Sequence, residues 1–209
     1  MKLPIDVHVI WMKDMNTNWL LECLISLNKS PVHRYLVKGV QGDIGASRTE
    51  GFEKGNSKYV AFVDWDDIVI PEIFEKLYLE CEENPDCSGA YSDEILIDEF
   101  NTTCMPGWST NPSWYLENGL DISFHKIQGE YIHHISLLKR EIVEKFLPCK
   151  TKRFPEPILL HECATRGKLI HVKEVGYKWR RHPNNTILTY TKEEIEEAKN
   201  IIKEIDNGK

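Results

Sequence analysis

The 209-residue sequence contains no long apolar run, and none of its segments approaches the roughly 18 apolar residues that a membrane span requires. Residues 1–6 also lack the apolar stretch of a signal peptide. Six cysteines are present, but no two of them have the Cys-x-x-Cys spacing of zinc or redox sites. We therefore expect a cytoplasmic protein, a single domain over residues 1–209, and reduced cysteines packed in its core.

The strongest functional signal is the abrupt end of an apolar run in acid. Residues 59–63, Tyr-Val-Ala-Phe-Val, are followed directly by Asp64-Trp65-Asp66-Asp67. The run is short, aromatic and β-branched, which predicts a central strand buried on both faces. Carboxylates at the carboxyl end of such a strand lie where open α/β sheets bind ligands, and their oxygens suit Mg²⁺ or Mn²⁺. The alternative is a polar turn before the helix that Pro71 begins.

Charge is distributed unevenly along the chain. The segment from His125 to His182 holds 13 Lys and Arg against 6 Glu and no Asp, a local charge of +7 in a chain whose formal charge is −7. A cationic part beside an acidic part favours an anionic donor, an anionic acceptor, or both.

The residues before the acidic turn extend the pattern. Gly42 to Gly51 predicts a turn followed by a helix, and Ser47-Arg48-Thr49 stands inside it. From Gly45 to Asp67 the chain resembles the family 2 glycosyltransferases of the GT-A fold, whose pattern is a glycine, Ala-Arg-Asn, a glycine, an apolar strand and Asp-x-Asp-Asp. Thr49 departs from that pattern, since the family prefers Asn there. The resemblance extends over most of residues 5–186.

The resemblance implies an α/β protein, a single GT-A domain with a mixed, mainly parallel sheet flanked by helices. It implies a hexosyl- or pentosyltransferase that moves a sugar from a nucleotide sugar, with a UDP-sugar favoured, to an acceptor hydroxyl with inversion. The implied cofactor is Mn²⁺ or Mg²⁺. Residues 1–100 would form the donor-binding half and residues 101–190 the basic, acceptor-binding half, while the periodicity of residues 191–206 predicts a packing helix.

The resemblance also assigns the donor side of the site. The family's Asp-Asp-Gly-Ser block, which reads the nucleotide base, is absent here, and Asp43 is the nearest substitute. A Tyr-x-x-Arg-x-His-Pro-type segment at residues 177–183, which includes Lys178, would fold over the phosphates. The expected metal ligands are Asp64, Asp66 and His182. The expected donor contacts are Trp11, Lys13, Asp43, Arg48, Asp64, Trp65, Arg180 and Arg181.

On the acceptor side, counting back from Gly167 makes Glu156 the general base implied by the family, with Glu162 in reserve. Residues 101–125 are long for a loop, so they are either functional or contain a short element. We reject a metal site at His133-His134, because neighbouring residues of a strand face opposite ways. The expected acceptor contacts are Asp93, Trp108, Trp114, Lys152 and Arg153.

Several functions remain open. The acceptor would be a glycan or a lipid-linked sugar, or an anionic molecule such as phage DNA with modified cytosines. A nucleotidyltransferase would also use paired carboxylates, but the phosphate-binding glycine signature it needs is missing from the sequence. An inactive sugar-nucleotide-binding module would keep the fold without the base.

Overall fold

The computed structural model describes residues 1–208, without the side chains of residues 187 and 188. The strands are β1 Ile5–Trp11, β2 His33–Lys38, β3 Tyr59–Asp64, β4 Ile68–Val69, β5 Gly89–Ile97, β6 Thr103–Pro106, β7 Lys126–Ile127, β8 Glu130–Tyr131, β9 Ser136–Lys139 and β10 Leu169–Arg180. The α-helices are α1 Thr17–Asn28, α2 Ile44–Phe52, α3 Ile73–Glu83, α4 Pro112–Glu117, α5 Arg140–Val143, α6 Pro155–Ala164 and α7 Lys192–Asp206.

The main sheet has eight strands. Seven of them follow the order β2-β1-β3-β9-β5-β10-β4, and β6 pairs with β5. β1, β2 and β3 run parallel, as do β5 and β10, whereas β9 lies antiparallel between β3 and β5. This arrangement confirms the expected mixed, mainly parallel sheet. β7 and β8 form a separate hairpin.

Helices cover both faces of the sheet, and β3 contributes alternate residues to two apolar clusters, one on each face. One face, with Val7 and Ala61, packs on α1 and α3. The other, with Val60 and Phe62, packs on α2, α5 and α6. A third cluster joins α7 to α6, as the periodicity of residues 191–206 predicted. β3 is buried up to its last residue, so the predicted central strand is confirmed.

The long segment 101–125 contains the short elements β6 and α4, which is one of the two alternatives expected for it. β10 continues to Arg180, so it includes the first residues of the segment 177–183 that we expected to fold over the phosphates. The register with β5 shifts around Gly176, where any Cβ would come within 2.2 Å of Ile73. A close approach of this kind requires glycine.

Two polar side chains are buried on β1. Asp6 accepts hydrogen bonds from Ser57 and forms an ion pair with Arg140 at 2.8 Å. His8 lies between the rings of Tyr35 and Phe62. Burial lowers the pKa of His8 to about 4, so the folded chain holds this ring neutral.

The cysteines match the expectation of core packing only in part, since Cys104 is exposed and Cys149 is half-buried. All six are free, and four of them, Cys23, Cys81, Cys87 and Cys163, are buried. Within residues 1–208, none of the helices has the length and apolarity needed to cross a membrane.

Candidate active site

A cavity of about 360 Å³ opens at the carboxyl ends of β1 and β3. Its wall includes Asp64 at the end of β3, Arg48 from α2 and Glu156 from the first turn of α6. The segment 184–186 closes another side. The topology therefore brings residues from distant parts of the chain to the sheet edge where α/β folds bind ligands.

Arg48 is the centre of the charged wall. Its side chain is only 3% exposed, and it donates from Nη2 to Asp64 and from Nε to Glu156. Its Nη1 is also buried but has no partner among the described residues. The buried guanidinium therefore bridges two carboxylates that line the cavity. The guanidinium of Arg48, a predicted donor-binding residue, thus joins the predicted metal ligand Asp64 to the predicted base Glu156.

The electrostatics of the three aspartates differ. Burial would raise the pKa of Asp64, but attraction by Arg48 and His134 outweighs it and lowers that pKa. Burial raises the pKa of Asp66, although the hydrogen bond from His182 opposes the rise. Burial, with repulsion from Asp66 and Asp64, raises the pKa of Asp67 well above its usual range. Burial and mutual repulsion therefore disfavour the charged forms of Asp66 and Asp67, and a bound cation would favour those charged forms.

Asp64 and Asp66 fit a divalent cation. Both line the cavity, and both offer the oxygen ligands that Mg²⁺ and Mn²⁺ prefer. Across residues 1–208, no three His, Cys, Asp or Glu side chains surround a single point as metal ligands. Mg²⁺ is commonly held by one or two carboxylates, with substrate phosphates and water completing its shell. Two aspartates beside a ligand cavity are consistent with that mode of binding.

The prediction that His182 is a metal ligand does not agree with its position. Its Nε2 lies 2.7 Å from Oδ2 of Asp66, and its Nδ1 accepts the backbone N–H of Asn184 at 3.2 Å. Both ring nitrogens are therefore occupied, and the ring does not line the cavity. In this arrangement His182 orients Asp66 by binding its Oδ2, and the Oδ1 of Asp66 is left for a ligand.

Arg180 also differs from expectation. We predicted a phosphate contact, but the side chain is fully buried and does not line the cavity. Its Nη2 donates to Glu22 at 2.6 Å, its Nε donates to the backbone carbonyl of Asp66 at 2.6 Å, and its Nη1 donates to Asn101 at 2.7 Å. Because its backbone N–H also binds Asp67, Arg180 holds the acidic turn in place from the side away from the cavity.

The other expected donor residues divide between the cavity and the surface. Asp43 and Trp65 line the cavity, and Asp43 also caps α2 by accepting the N–H of Ala46 at 2.8 Å. The side chains of Trp11, Lys13 and Arg181 are not part of the cavity wall.

The expected acceptor residues divide in the same way. Trp108 and Arg153 line the cavity, whereas Asp93, Trp114 and Lys152 do not. Asp93 instead lies 2.8 Å from Nε2 of His171. Trp108 is only 2% exposed and packs in an aromatic cluster.

Four of the thirteen Lys and Arg residues of the basic segment form ion pairs within the described residues 1–208. Lys150 binds Glu162, Arg153 lies 3.5 Å from Glu194, and Arg140 and Arg180 are bound to buried or neighbouring acids. Burial raises the pKa of Glu162, and Lys150 opposes that rise. Glu162 does not line the cavity, which leaves Glu156 as the better placed base.

Sequence reasoning missed a histidine group in the cavity wall. His133 and His134 both line the cavity, because they lie in the loop between β8 and β9 and not in a strand. His134 lies 3.5 Å from Asp64, and burial lowers its pKa to about 3. His133 binds Glu94, a fully buried residue of β5. The pair of adjacent histidines was the available signal, and assuming a strand caused us to discard it.

This fold is that of the GT-A glycosyltransferases. The chain belongs to the family described as glycosyl transferase family 2, whose sequence profile matches residues 6–147. No curated protein matches the sequence.

Solved structures show the same fold at low sequence identity. S. aureus TarS 1-349 in complex with UDP-GlcNAc has a TM-score of 0.67 and 13% identity over 97% of this chain. The mannosyltransferase PcManGT from Pyrobaculum calidifontis, in complex with GDP-Man and Mn²⁺, has a TM-score of 0.61 and 9% identity over 89% of this chain. This chain spans 65% of the TarS segment and 59% of the mannosyltransferase.

Proposed function

We propose that this chain is a metal-dependent, inverting glycosyltransferase that moves a sugar from a nucleotide sugar to an acceptor hydroxyl. The observation that carries the proposal is the buried bridge from Arg48 to Asp64 and Glu156 in the cavity wall. It gathers a metal-binding acid, a cation for phosphate and a candidate base around one space. The complexes of similar structures with UDP-GlcNAc and with GDP-Man and Mn²⁺ support a donor of this kind.

Asp64 and Asp66 would hold Mn²⁺ or Mg²⁺. When bound, the cation supplies positive charge that stabilises the departing diphosphate. Arg48 contributes from the protein side, because its unpartnered Nη1 can donate to a diphosphate oxygen. His182 and Arg180 keep the aspartates in place through the contacts described above.

Glu156 would remove the proton of the acceptor hydroxyl as that oxygen attacks the anomeric carbon. It stands in the first turn of α6 and faces the cavity, where an acceptor can reach it. Arg48 fixes its carboxylate from one side through Oε1. Attack from the face opposite the diphosphate would invert the anomeric configuration.

For the acceptor we propose a glycan or a lipid-linked sugar. The formal charge of −7 on the whole chain disfavours a polyanionic acceptor such as DNA. In this proposal residues 1–100 bind the donor and residues 101–190 bind the acceptor. The residues that the second half contributes to the cavity wall include Trp108, Arg153 and Glu156.

Turnover of nucleotide sugars tests the proposal. The protein is incubated with UDP-GlcNAc and with GDP-mannose, each with Mn²⁺, with Mg²⁺ or with EDTA. We expect release of nucleoside diphosphate with at least one donor, dependent on the cation. Pyrophosphate release would instead indicate a nucleotidyltransferase. Donor binding without turnover would indicate an inactive sugar-nucleotide-binding module.

A further inference from the structure

His133 and Glu94 form a carboxylate–imidazole pair at the cavity wall. Oε2 of Glu94 lies 2.7 Å from Nδ1 of His133, and Oε1 of Glu94 accepts the backbone N–H of Trp108 at 3.2 Å. The Glu94 side chain is fully buried, whereas His133 keeps 12% of its side chain exposed and lines the cavity. Since a carboxylate only accepts hydrogen bonds, Nδ1 of His133 carries the proton.

The ring of His133 is held on several sides. Trp108 stacks on it with the ring centroids 4.2 Å apart, and Trp179 meets it edge-on at 5.7 Å. Gly107 lets the chain pass close to Glu94, because a Cβ there would come within 2.0 Å of the Glu94 side chain. The position and the tautomer of the imidazole are therefore fixed before any ligand binds.

The fixed tautomer leaves Nε2 as an acceptor. Nε2 has no partner among the described residues and is not sealed from the cavity. A ring nitrogen that accepts a hydrogen bond and is surrounded by aromatic rings suits a sugar hydroxyl better than a phosphate oxygen, because a phosphate oxygen has no proton to donate.

We propose that His133 is a specificity-determining residue whose Nε2 accepts a hydrogen bond from a hydroxyl of the donor sugar, with Glu94 as its positioning residue. This inference rests on the proposed function. The residue after His133 is His134, which lies 3.5 Å from Asp64. The ring centroids of His133 and His134 are 4.2 Å apart. Only His134 therefore separates His133 in space from Asp64, the carboxylate assigned to the metal and the diphosphate. The group attached directly to that diphosphate is the sugar.

Two matched variants separate the ring nitrogens. His133→Asn keeps an N–H donor near the position of Nδ1 and removes Nε2, whereas His133→Gln places its amide near the position of Nε2. Calorimetric titrations with Mn²⁺ compare UDP with UDP-GlcNAc, and GDP with GDP-mannose, so that each pair differs only by the sugar. Thermal melting without ligand controls for folding.

We expect His133→Asn to weaken nucleotide-sugar binding by about 3- to 10-fold, the scale of one hydrogen bond, while nucleoside diphosphate binding stays unchanged. His133→Gln should recover part of the loss. Equal weakening of both ligands, an unchanged nucleotide-sugar affinity, or an effect only on the KM of the acceptor overturns the proposal. If the wild-type protein binds neither nucleotide sugar, the proposed function itself fails, and this inference fails with it.

A measurement on the wild-type protein covers the case in which the variants do not fold. Nitrogen-15 spectra of the histidine rings report which ring nitrogen carries the proton. We expect His133 to be protonated at Nδ1, with an Nε2 signal that moves when the nucleotide sugar is added and stays in place with the nucleoside diphosphate. An Nε2-protonated ring, or the same change with both ligands, contradicts the assignment.

Discussion

Replacing Arg48 by methionine tests the charged bridge most sharply. The side chain is 3% exposed and donates to both Asp64 and Glu156. Methionine keeps much of its length and apolar contact but leaves two carboxylates facing each other without a cation. We therefore expect Arg48→Met to destabilise the metal-free protein.

The size of the effect follows from burial. Removing one partner of a buried ion pair costs about 3–5 kcal/mol. The side chains of Asp64 and Glu156 are 36% and 23% exposed, so water screens part of the loss. We expect the free energy of unfolding to fall by about 2–4 kcal/mol once this screening is allowed for.

Urea denaturation with and without Mn²⁺ measures the effect. Mn²⁺ should stabilise Arg48→Met more than the wild-type protein, because the cation no longer competes with the guanidinium for Asp64. Arg140→Met is the matched control: it breaks the ion pair with the buried Asp6, away from the cavity. The reasoning is refuted if Arg48→Met is as stable as the wild-type protein, or if Mn²⁺ stabilises Arg48→Met and Arg140→Met by the same amount.

Three further predictions address the base, the buried histidine and the acceptor. Glu156→Gln should slow transfer by roughly 10²-fold or more while UDP still binds with Mn²⁺, and near-normal turnover would move the role to Glu162. The pKa of His8 is lowered to about 4 in the folded chain, so between pH 6.5 and 4 only the unfolded chain takes up a proton at this residue. The free energy of unfolding should therefore decrease as the pH is lowered through this range. Urea titrations at neutral pH and at about pH 4.5 should show a loss of about 2–3 kcal/mol from this group that is absent in His8→Phe, whereas equal losses would contradict the account. Duplex DNA should not bind detectably at low salt, and salt-dependent binding that weakens in a Lys152→Ala, Arg153→Ala variant would restore DNA as an acceptor.

The sequence predicted the parts of the fold that local patterns determine. The apolar run 59–63 could only be a short buried strand, and the acid after it had to lie at the sheet edge. The same pattern placed Arg48 near that edge. It did not show that Arg48 joins Asp64 to Glu156, because the latter contact spans 108 residues of sequence and depends on how α6 packs.

The errors have physical causes as well. Arg180 was assigned a phosphate contact because its segment resembles one that folds over the phosphates in the family, but β10 continues through Arg180 and buries the side chain. His133 and His134 were discarded because a strand was assumed where the chain forms a loop. The partner of His133, Glu94, looked like an ordinary strand residue, since only the packing of β5 brings it to the ring.

The central claim, that a divalent cation on the acidic turn binds the donor diphosphate, is tested most directly by titrating UDP and GDP into Asp66→Ala with and without Mn²⁺. Asp93→Ala is the matched control, since each aspartate binds one histidine, at 2.7 Å and 2.8 Å respectively, but only Asp66 lines the cavity. We predict that Mn²⁺ strengthens nucleoside diphosphate binding in the wild-type protein and in Asp93→Ala, and that Asp66→Ala loses this dependence while remaining folded. Retention of Mn²⁺-dependent affinity in Asp66→Ala would contradict the account.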